Sequence, residues 1–306
     1  MGAPPLALVG PTASGKSEAA IELARSIGAE IVSVDSMLVY RGMDVGTAKP
    51  TSDQRAMVPH HLIDVADPSE PFSVVRYQAL ARTVLEGLRS RGGRPFLVGG
   101  SGLYFRAVVD DLEFPGTDAS TREELERQAQ ALGARGLHGR LVMADPVAAG
   151  RIEPGNARRT VRALEVAAVT GRPFSSFAEA WRSYPPAHVR AVGVALERET
   201  LTGRVRRRVD RMLELGLLDE VRELLSAGLG GWLTSTQAIG YAEMTRHLRG
   251  ELSLEEAVAG IVRRTNNLAR RQMTWFLRDP RIRWVAAGAG GAMDVVHELH
   301  AELEGG

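Results

Sequence analysis

Gly10-Pro11-Thr12-Ala13-Ser14-Gly15-Lys16-Ser17 fits the pattern G-x-x-x-x-G-K-[ST] at every fixed position, and its flanks are those the pattern requires. Ahead of it, Leu6-Ala7-Leu8-Val9 is an apolar run of strand length. Behind it, Ala20, Ile21, Ala24 and Ile27 make a helical stripe that Gly28 can stop. Strand, glycine loop and helix in that order commit the chain to an α/β layer architecture. Backbone N–H groups of the loop and of the first helical turn would cradle a diphosphate. Lys16 would neutralise it, and the Ser17 hydroxyl would hold a magnesium ion. Gly10, Thr12, Ala13, Ser14, Gly15, Lys16 and Ser17 are thus the candidate diphosphate-binding set. Composition sharpens the point, because Lys16 and Lys49 are the only lysines among 38 Lys and Arg residues. An ammonium is a compact point charge that enters a tight turn, whereas a guanidinium is a wide fork. The loop specifies a phosphate group without saying which compound carries it.

Further strands follow the same logic. Glu30 to Val34 reads as a strand ending on Asp35-Ser36, and Pro95 to Val98 as another ending on Gly99-Gly100-Ser101-Gly102. Between them a helix is expected from Val74 to Arg89. Strands alternating with helices imply a mostly parallel sheet flanked by helices, of the P-loop NTPase-like kind, with ligands beyond the carboxyl ends of the strands. After Phe114-Pro115-Gly116 the sequence becomes helical, Ala- and Arg-rich, and Ser120-Thr121-Arg122-Glu123 reads as a capping box. Strand character returns at Val189. The expected organisation is therefore an α/β core over residues 1–116 and 189–306, with a helical insertion domain over 117–188. One long amphipathic helix is expected through Val205, Val209, Met212, Leu213, Leu217, Val221, Leu224 and Leu225, another from Ser253 to Phe276, and a last strand at Arg283-Trp284-Val285.

The 306 residues contain no cysteine, which excludes disulfides and cysteine-ligated metals and fits a reducing cytoplasm. No run approaches the length of a membrane span, and little sequence precedes the first strand, so a soluble cytoplasmic protein is expected, and no feature suggests more than a monomer. Net charge is +1, but arginines cluster in the second half, at 158–159 with 162, at 204 with 206–208, and at 263–264 and 270–271. Such clusters suit a polyanion partner, although charge runs are as often simply solvated.

Among residues able to do chemistry, Asp35 stands at a strand end beside the expected diphosphate, where it could act as a general base, hold magnesium or merely cap a turn. Ser101 lies in a glycine turn where backbone and hydroxyl can approach a ligand. His60-His61 lacks companions for a metal site. Lys49 is notable for its rarity. Neither apolar strand is followed by the acidic pair that an ATPase uses to orient water, so the bound diphosphate need not be the tail of ATP.

The ordered set of motifs resembles the tRNA dimethylallyltransferase family over about residues 5–285. The resemblance rests on the loop at Gly10–Ser17, Asp35-Ser36-Met37-Leu38-Val39-Tyr40, residues 44–50 (DVGTAKP) and 60–64 (HHLID). It continues through residues 99–104 (GGSGLY), 162–166 (RALEV), 238–241 (AIGY) and 271–276 (RQMTWF). It implies transfer of a dimethylallyl group from dimethylallyl diphosphate to N6 of an adenosine beside the anticodon of a tRNA, with Mg2+ as cofactor. By this resemblance Lys16, Asp35 and Ser101 are catalytic, and Arg208 joins the diphosphate site. Asp35, Ser36, Met37, Leu38 and Ser101 would meet the adenosine. Arg122, Arg158, Arg159, Thr160, Val161 and Arg162 would meet the anticodon stem-loop, and Arg271, Gln272 and Trp275 would line a tRNA-facing channel. Three departures are visible: Ser101 stands where threonine is usual, Leu38 where glutamine is commoner, and Gly155-Asn156-Ala157 replaces an Asn-Asp-Pro run. Without cysteines the chain resembles the bacterial form, which lacks a zinc finger. Competing readings are a small-molecule kinase, a prenyltransferase of free adenine nucleotides, and an RNA-binding module with a vestigial loop.

Overall fold

All four residues of Leu6–Val9 are buried, and they form β1, the strand that delivers the glycine loop. The computed structural model describes residues 4–110, 112–178, 180–231 and 234–305. The other strands are β2 (Ala29–Ser33), β3 (His60–His61), β4 (Arg94–Gly99), β5 (Arg190–Ala195) and β6 (Ile282–Ala286). They make one parallel sheet in the order β3-β2-β4-β1-β5-β6, with β1 between β4 and β5. The helices are α1 (Lys16–Ile27), α2 (Ser52–Met57), α3 (Val74–Ser90), α4 (Gly102–Val109), α5 (Ala119–Ala144) and α6 (Pro146–Ala149). They continue as α7 (Ala157–Thr170), α8 (Arg198–Glu214), α9 (Leu217–Ser226), α10 (Tyr241–Leu248), α11 (Leu254–Phe276) and α12 (Val296–Glu304).

The two-residue period of a strand sorts β1 between two cores. Leu6 and Leu8 pack with Ala20, Ile21 and Ala24 of α1 and Leu299 of α12. Ala7 and Val9 face the opposite cluster, with Tyr77 of α3, Phe105 of α4 and Phe276 of α11. Burial on both faces explains why the strands read as continuous apolar runs.

The chain divides into two units, Met1–Asp111 with Pro185–Gly306, and Leu112–Tyr184. The second is helical and has its own core, in which Leu125, Leu137 and Leu141 of α5 meet Val161, Ala163 and Leu164 of α7. Its first helix bends at Gly133, whose φ of 71° lies outside the helical region.

Two expectations are corrected. The N-cap of α5 is Asp118, which accepts the Thr121 N–H, and the Ser120 capping box does not form because Ser120 is already inside the helix. The long helix through Val205 and Leu225 is two helices, α8 and α9, broken at Gly216 with φ 90°. A left-handed glycine ends one helix while the apolar stripe resumes in the next, so periodicity alone conceals the break.

Candidate active site

Strand register brings the three chemical segments to one edge. Val9 of β1 is level with Gly99 of β4, and Ser33 of β2 with Val98. The residues that follow, Gly10, Val34-Asp35 and Gly100-Ser101, therefore leave the sheet side by side at its carboxyl end. The Ser101 N–H donates to the Val34 carbonyl at 3.1 Å, which joins two of these exits directly. Gly99 is required there, because a Cβ would overlap the Val34 backbone.

The glycine loop turns through Ala13 at φ 63° and Gly15 at φ 82° before entering α1. Two loop carbonyls are tied from outside the motif. Arg204 Nε donates to the Ala13 carbonyl at 2.7 Å, and the Ala292 N–H to that of Ser14 at 2.8 Å. With these carbonyls fixed, and with the Thr12 N–H given to Gln272 and the Ser14 N–H to the Pro11 carbonyl, the groups an anion would meet are the remaining loop N–H groups and the α1 N-terminus. Ser14 is fully buried and its Oγ has no partner among the described residues. Ser17 is an exposed residue on the first turn of α1. Lys16 is half-buried and donates to the Pro11 carbonyl at 3.1 Å. Burial first, and the nearby Arg208 second, lower its ammonium from the usual 10.5 to about 8, while Asp35 pulls the other way. Arg208 is itself lowered by burial and supported by Asp35. These mutual influences put Lys16, Arg208 and Asp35 in one charged cluster. Arg208 is steadied by an Nη2 hydrogen bond to the Thr47 carbonyl at 3.1 Å.

Asp35 is a turn residue with one carboxylate oxygen outside the turn. Its Oδ1 accepts the Met37 N–H at 2.8 Å and the Leu38 N–H at 3.4 Å, an Asx turn that engages one carboxylate oxygen and leaves Oδ2 for a substrate hydrogen. Ser36, Met37 and Leu38 are half-buried around it. Ser101 is the N-cap of α4 and accepts the Tyr104 N–H, so its hydroxyl already has a structural duty. Tyr104 packs against Tyr77 with the rings tilted by 46° and 4.3 Å between centroids, and the Tyr77 hydroxyl donates to the Ser33 carbonyl. These rings form an apolar floor under the exits of β2 and β4.

One turn of α11 closes over the loops. Gln272 Oε1 accepts the Thr12 N–H at 2.8 Å, and its Nε2 fills the space a side chain at Gly100 would need. Trp275, three residues on, packs so closely on Gly102 that a Cβ there would lie 2.9 Å from the indole. The Trp275 side chain is 40% exposed, and Arg271 is exposed beside it. Gln272 is thus part of the phosphate loop's scaffold, a role not expected from its position in the sequence. Arg204 was also missed, appearing in the sequence only as one of many clustered arginines. Lys49 does not join the site. Its Nζ is enclosed by the Tyr40 carbonyl, Asp44 and Asp64 at 2.5–2.6 Å.

The residues expected on the anticodon arm belong to the second unit. Arg158 and Arg159 are exposed on the first turn of α7, whose N-cap Asn156 accepts the Arg159 N–H. Arg122 and Arg162 both pair with the fully buried Glu165, at 2.7 and 2.9 Å, and Arg162 also donates to the carbonyls of Pro115 and Gly116. Burial raises the Glu165 carboxyl, but the two arginines outweigh it and hold it below the usual range. Thr160 and Val161 are inside the core of this unit, so their side chains cannot contribute an RNA-facing surface. The helical period explains it, since Val161 joins Leu125 and Leu141 in the core and Thr160 is buried, while 158 and 159 are exposed.

A family model described as IPP transferase matches residues 38–279, and one described as Isopentenyl transferase matches residues 6–59. The chain belongs to the IPP transferase family. Similar proteins include the tRNA dimethylallyltransferase of Streptomyces coelicolor, 49% identical over 284 residues that cover 92% of this chain and 90% of the relative. That of Geobacter metallireducens is 51% identical over 278 residues, 90% of each chain. Among solved structures, the tRNA isopentenylpyrophosphate transferase of Bacillus halodurans superposes with a TM-score of 0.69 at 40% identity, covering 99% of this chain and 98% of the other. The α/β sheet with flanking helices is therefore the fold of the family. No helix among the described residues is long and apolar enough to cross a membrane.

Proposed function

We propose that this chain is a tRNA dimethylallyltransferase. It transfers the dimethylallyl group of dimethylallyl diphosphate to N6 of the adenosine 3′-adjacent to the anticodon, in tRNAs reading codons that begin with U, and releases diphosphate. The observation that carries the reading is the sheet edge at which the glycine loop with Lys16 and the segment with Asp35 emerge side by side, so that an anion cradle and a carboxylate share it. A phosphate loop alone would suit a kinase. A carboxylate beside it, with an exposed aromatic ring on the covering helix, suits transfer to a nucleobase amine. The names and coverage of the relatives point the same way.

In the reaction the N6–C1 bond forms as the C1–O bond to diphosphate breaks, and the departing electron pair stays on the diphosphate. Lys16, Arg208 and the loop N–H groups stabilise that growing charge, an electrostatic contribution preorganised by the Arg204 and Ala292 contacts. Asp35 Oδ2 accepts the N6 proton, which keeps the attacking nitrogen from carrying positive charge. An adenine stacked in its loop cannot reach Asp35, so the base is flipped, with Ser101 and the segment 36–38 around it. The donor set at α1, the hydroxyl of the exposed residue Ser17 beside a phosphate cradle, fits Mg2+, which keeps several waters and takes phosphate oxygens. When bound, the ion would neutralise the leaving group. In the second unit, the exposed Arg158 and Arg159 meet phosphates of the anticodon arm, whereas Arg122 and Arg162 hold Glu165 and act on the RNA through the shape of that unit. The enzyme works as a cytoplasmic monomer.

Transfer of labelled dimethylallyl from its diphosphate to tRNA with adenosine after the anticodon, to AMP, or to neither tests this reading. Label in tRNA is expected; label in AMP alone would assign the chain to free-nucleotide prenylation.

A further inference from the structure

Three consecutive backbone N–H groups, of Asp44, Val45 and Gly46, converge on the carboxylate of Glu220 in α9. Asp44 and Val45 donate to Oε2 at 2.9 and 2.8 Å, and Gly46 donates to Oε1 at 3.2 Å. Successive N–H groups turned to one point form an anion nest, here filled by the protein's own carboxylate. The Tyr241 hydroxyl of α10 donates to Oε1 at 2.6 Å. Tyr241 is fully buried, and burial together with Glu220 raises its hydroxyl far above the usual range, so it stays a donor. The ring leaves no room at Gly46, where a Cβ would lie 2.5 Å from it. From the other side, Lys49 holds Asp44 and the Tyr40 carbonyl. The segment is thus pinned twice, and its next residue, Thr47, presents the carbonyl that holds Arg208.

We propose that Glu220 is a positioning residue of the diphosphate site: through residues 44–46 and the Thr47 carbonyl it sets the Arg208 guanidinium beside Lys16. The inference rests on the diphosphate reading above and adds a residue that touches neither substrate. An unrestrained 44–47 segment would let Arg208 turn toward solvent, and the site would lose the geometry of one cation while keeping its charge.

The test is binding of inorganic diphosphate and of tRNA, measured separately, to wild type, Glu220→Gln, Tyr241→Phe, Arg208→Ala and the Glu220→Gln, Arg208→Ala double variant. Glutamine keeps the shape and one acceptor oxygen, so no cavity is opened, while the nest loses its charge and one oxygen is replaced by an NH2 donor. Diphosphate affinity is expected to fall about tenfold in Glu220→Gln, the size of one lost hydrogen bond to a charged group, and less in Tyr241→Phe. Affinity for tRNA should be unchanged in both. In the double variant the loss should be no greater than in Arg208→Ala alone, because Glu220 acts through Arg208. Additive losses, or an equal loss of tRNA affinity, would mean that Glu220 supports the fold at large, and the proposal would be overturned. Unchanged diphosphate affinity in Glu220→Gln overturns it too, while leaving the proposed function standing. Failure of wild type itself to bind diphosphate would overturn both.

Discussion

Replacing Lys16 by methionine separates what this cation does for substrate from what it costs the ligand-free fold. Its ammonium is brought down from 10.5 to about 8 by burial and by Arg208, so at pH 7 the folded protein holds a charge in a place that disfavours it. At about 1.4 kcal/mol per unit, the shift corresponds to about 3 kcal/mol. Methionine also forfeits the hydrogen bond to the Pro11 carbonyl, about 1 kcal/mol. The ligand-free variant is therefore expected to be more stable than wild type by about 2 kcal/mol at pH 7. The sign with pH follows from proton counts. Between pH 8 and 10.5 the unfolded chain keeps the lysine proton that the folded chain has lost, so wild-type stability rises with pH relative to the variant. Raising pH from 7 to 9 should narrow the gap by about 1 kcal/mol. Thermal unfolding of both proteins at the two pH values, without diphosphate, measures it. Added diphosphate should then stabilise wild type more than the variant, most strongly below pH 8. A gap that ignores pH, or a variant less stable than wild type at pH 7, would refute the account of Lys16 as a strained cation awaiting its anion.

Asp35→Asn should lower transfer by about a hundredfold or more while diphosphate still binds, because it removes the proton acceptor and preserves the turn; lost diphosphate binding would make Asp35 a scaffold residue, as single-turnover and binding measurements would show. Gln272→Ala removes the acceptor of the Thr12 N–H and should weaken diphosphate binding about three- to tenfold. If only tRNA affinity changes in that variant, Gln272 lines the RNA channel instead of bracing the loop. Arg159→Ala should weaken tRNA binding a few-fold and reduce the steepness of its salt dependence by about one phosphate contact, as titrations at several salt concentrations would report.

What could be read from the sequence was what is local in it. The glycine loop, its strand and its helix lie within two dozen residues, and Asp35 and Ser101 follow apolar runs directly, so strand periodicity alone places them at one sheet edge. Gln272 could not be found that way. Its partner Thr12 is 260 positions distant, and only the packing of α11 across the sheet's carboxyl end brings them together. Thr160 and Val161 lie between arginines in the sequence, yet the helical period turns them inward. Arginine identity carried little information in a chain that uses arginine almost wherever it needs a cation: Arg204 braces the loop, Arg162 neutralises a buried glutamate, and Arg159 lies on the surface. Lysine carried more, but what it marks is geometry. Lys16 sits inside a tight loop, and Lys49 is held by three oxygens at 2.5–2.6 Å, a spacing that a planar guanidinium could not satisfy from one nitrogen. Both lysines therefore survive for the same reason, the need for a compact cation in a confined place. Their neighbours distinguish the roles: Lys49 is surrounded by acceptors of its own chain, whereas Lys16 donates to one carbonyl at the N-terminus of α1, and a cation so placed is complete only when an anion arrives.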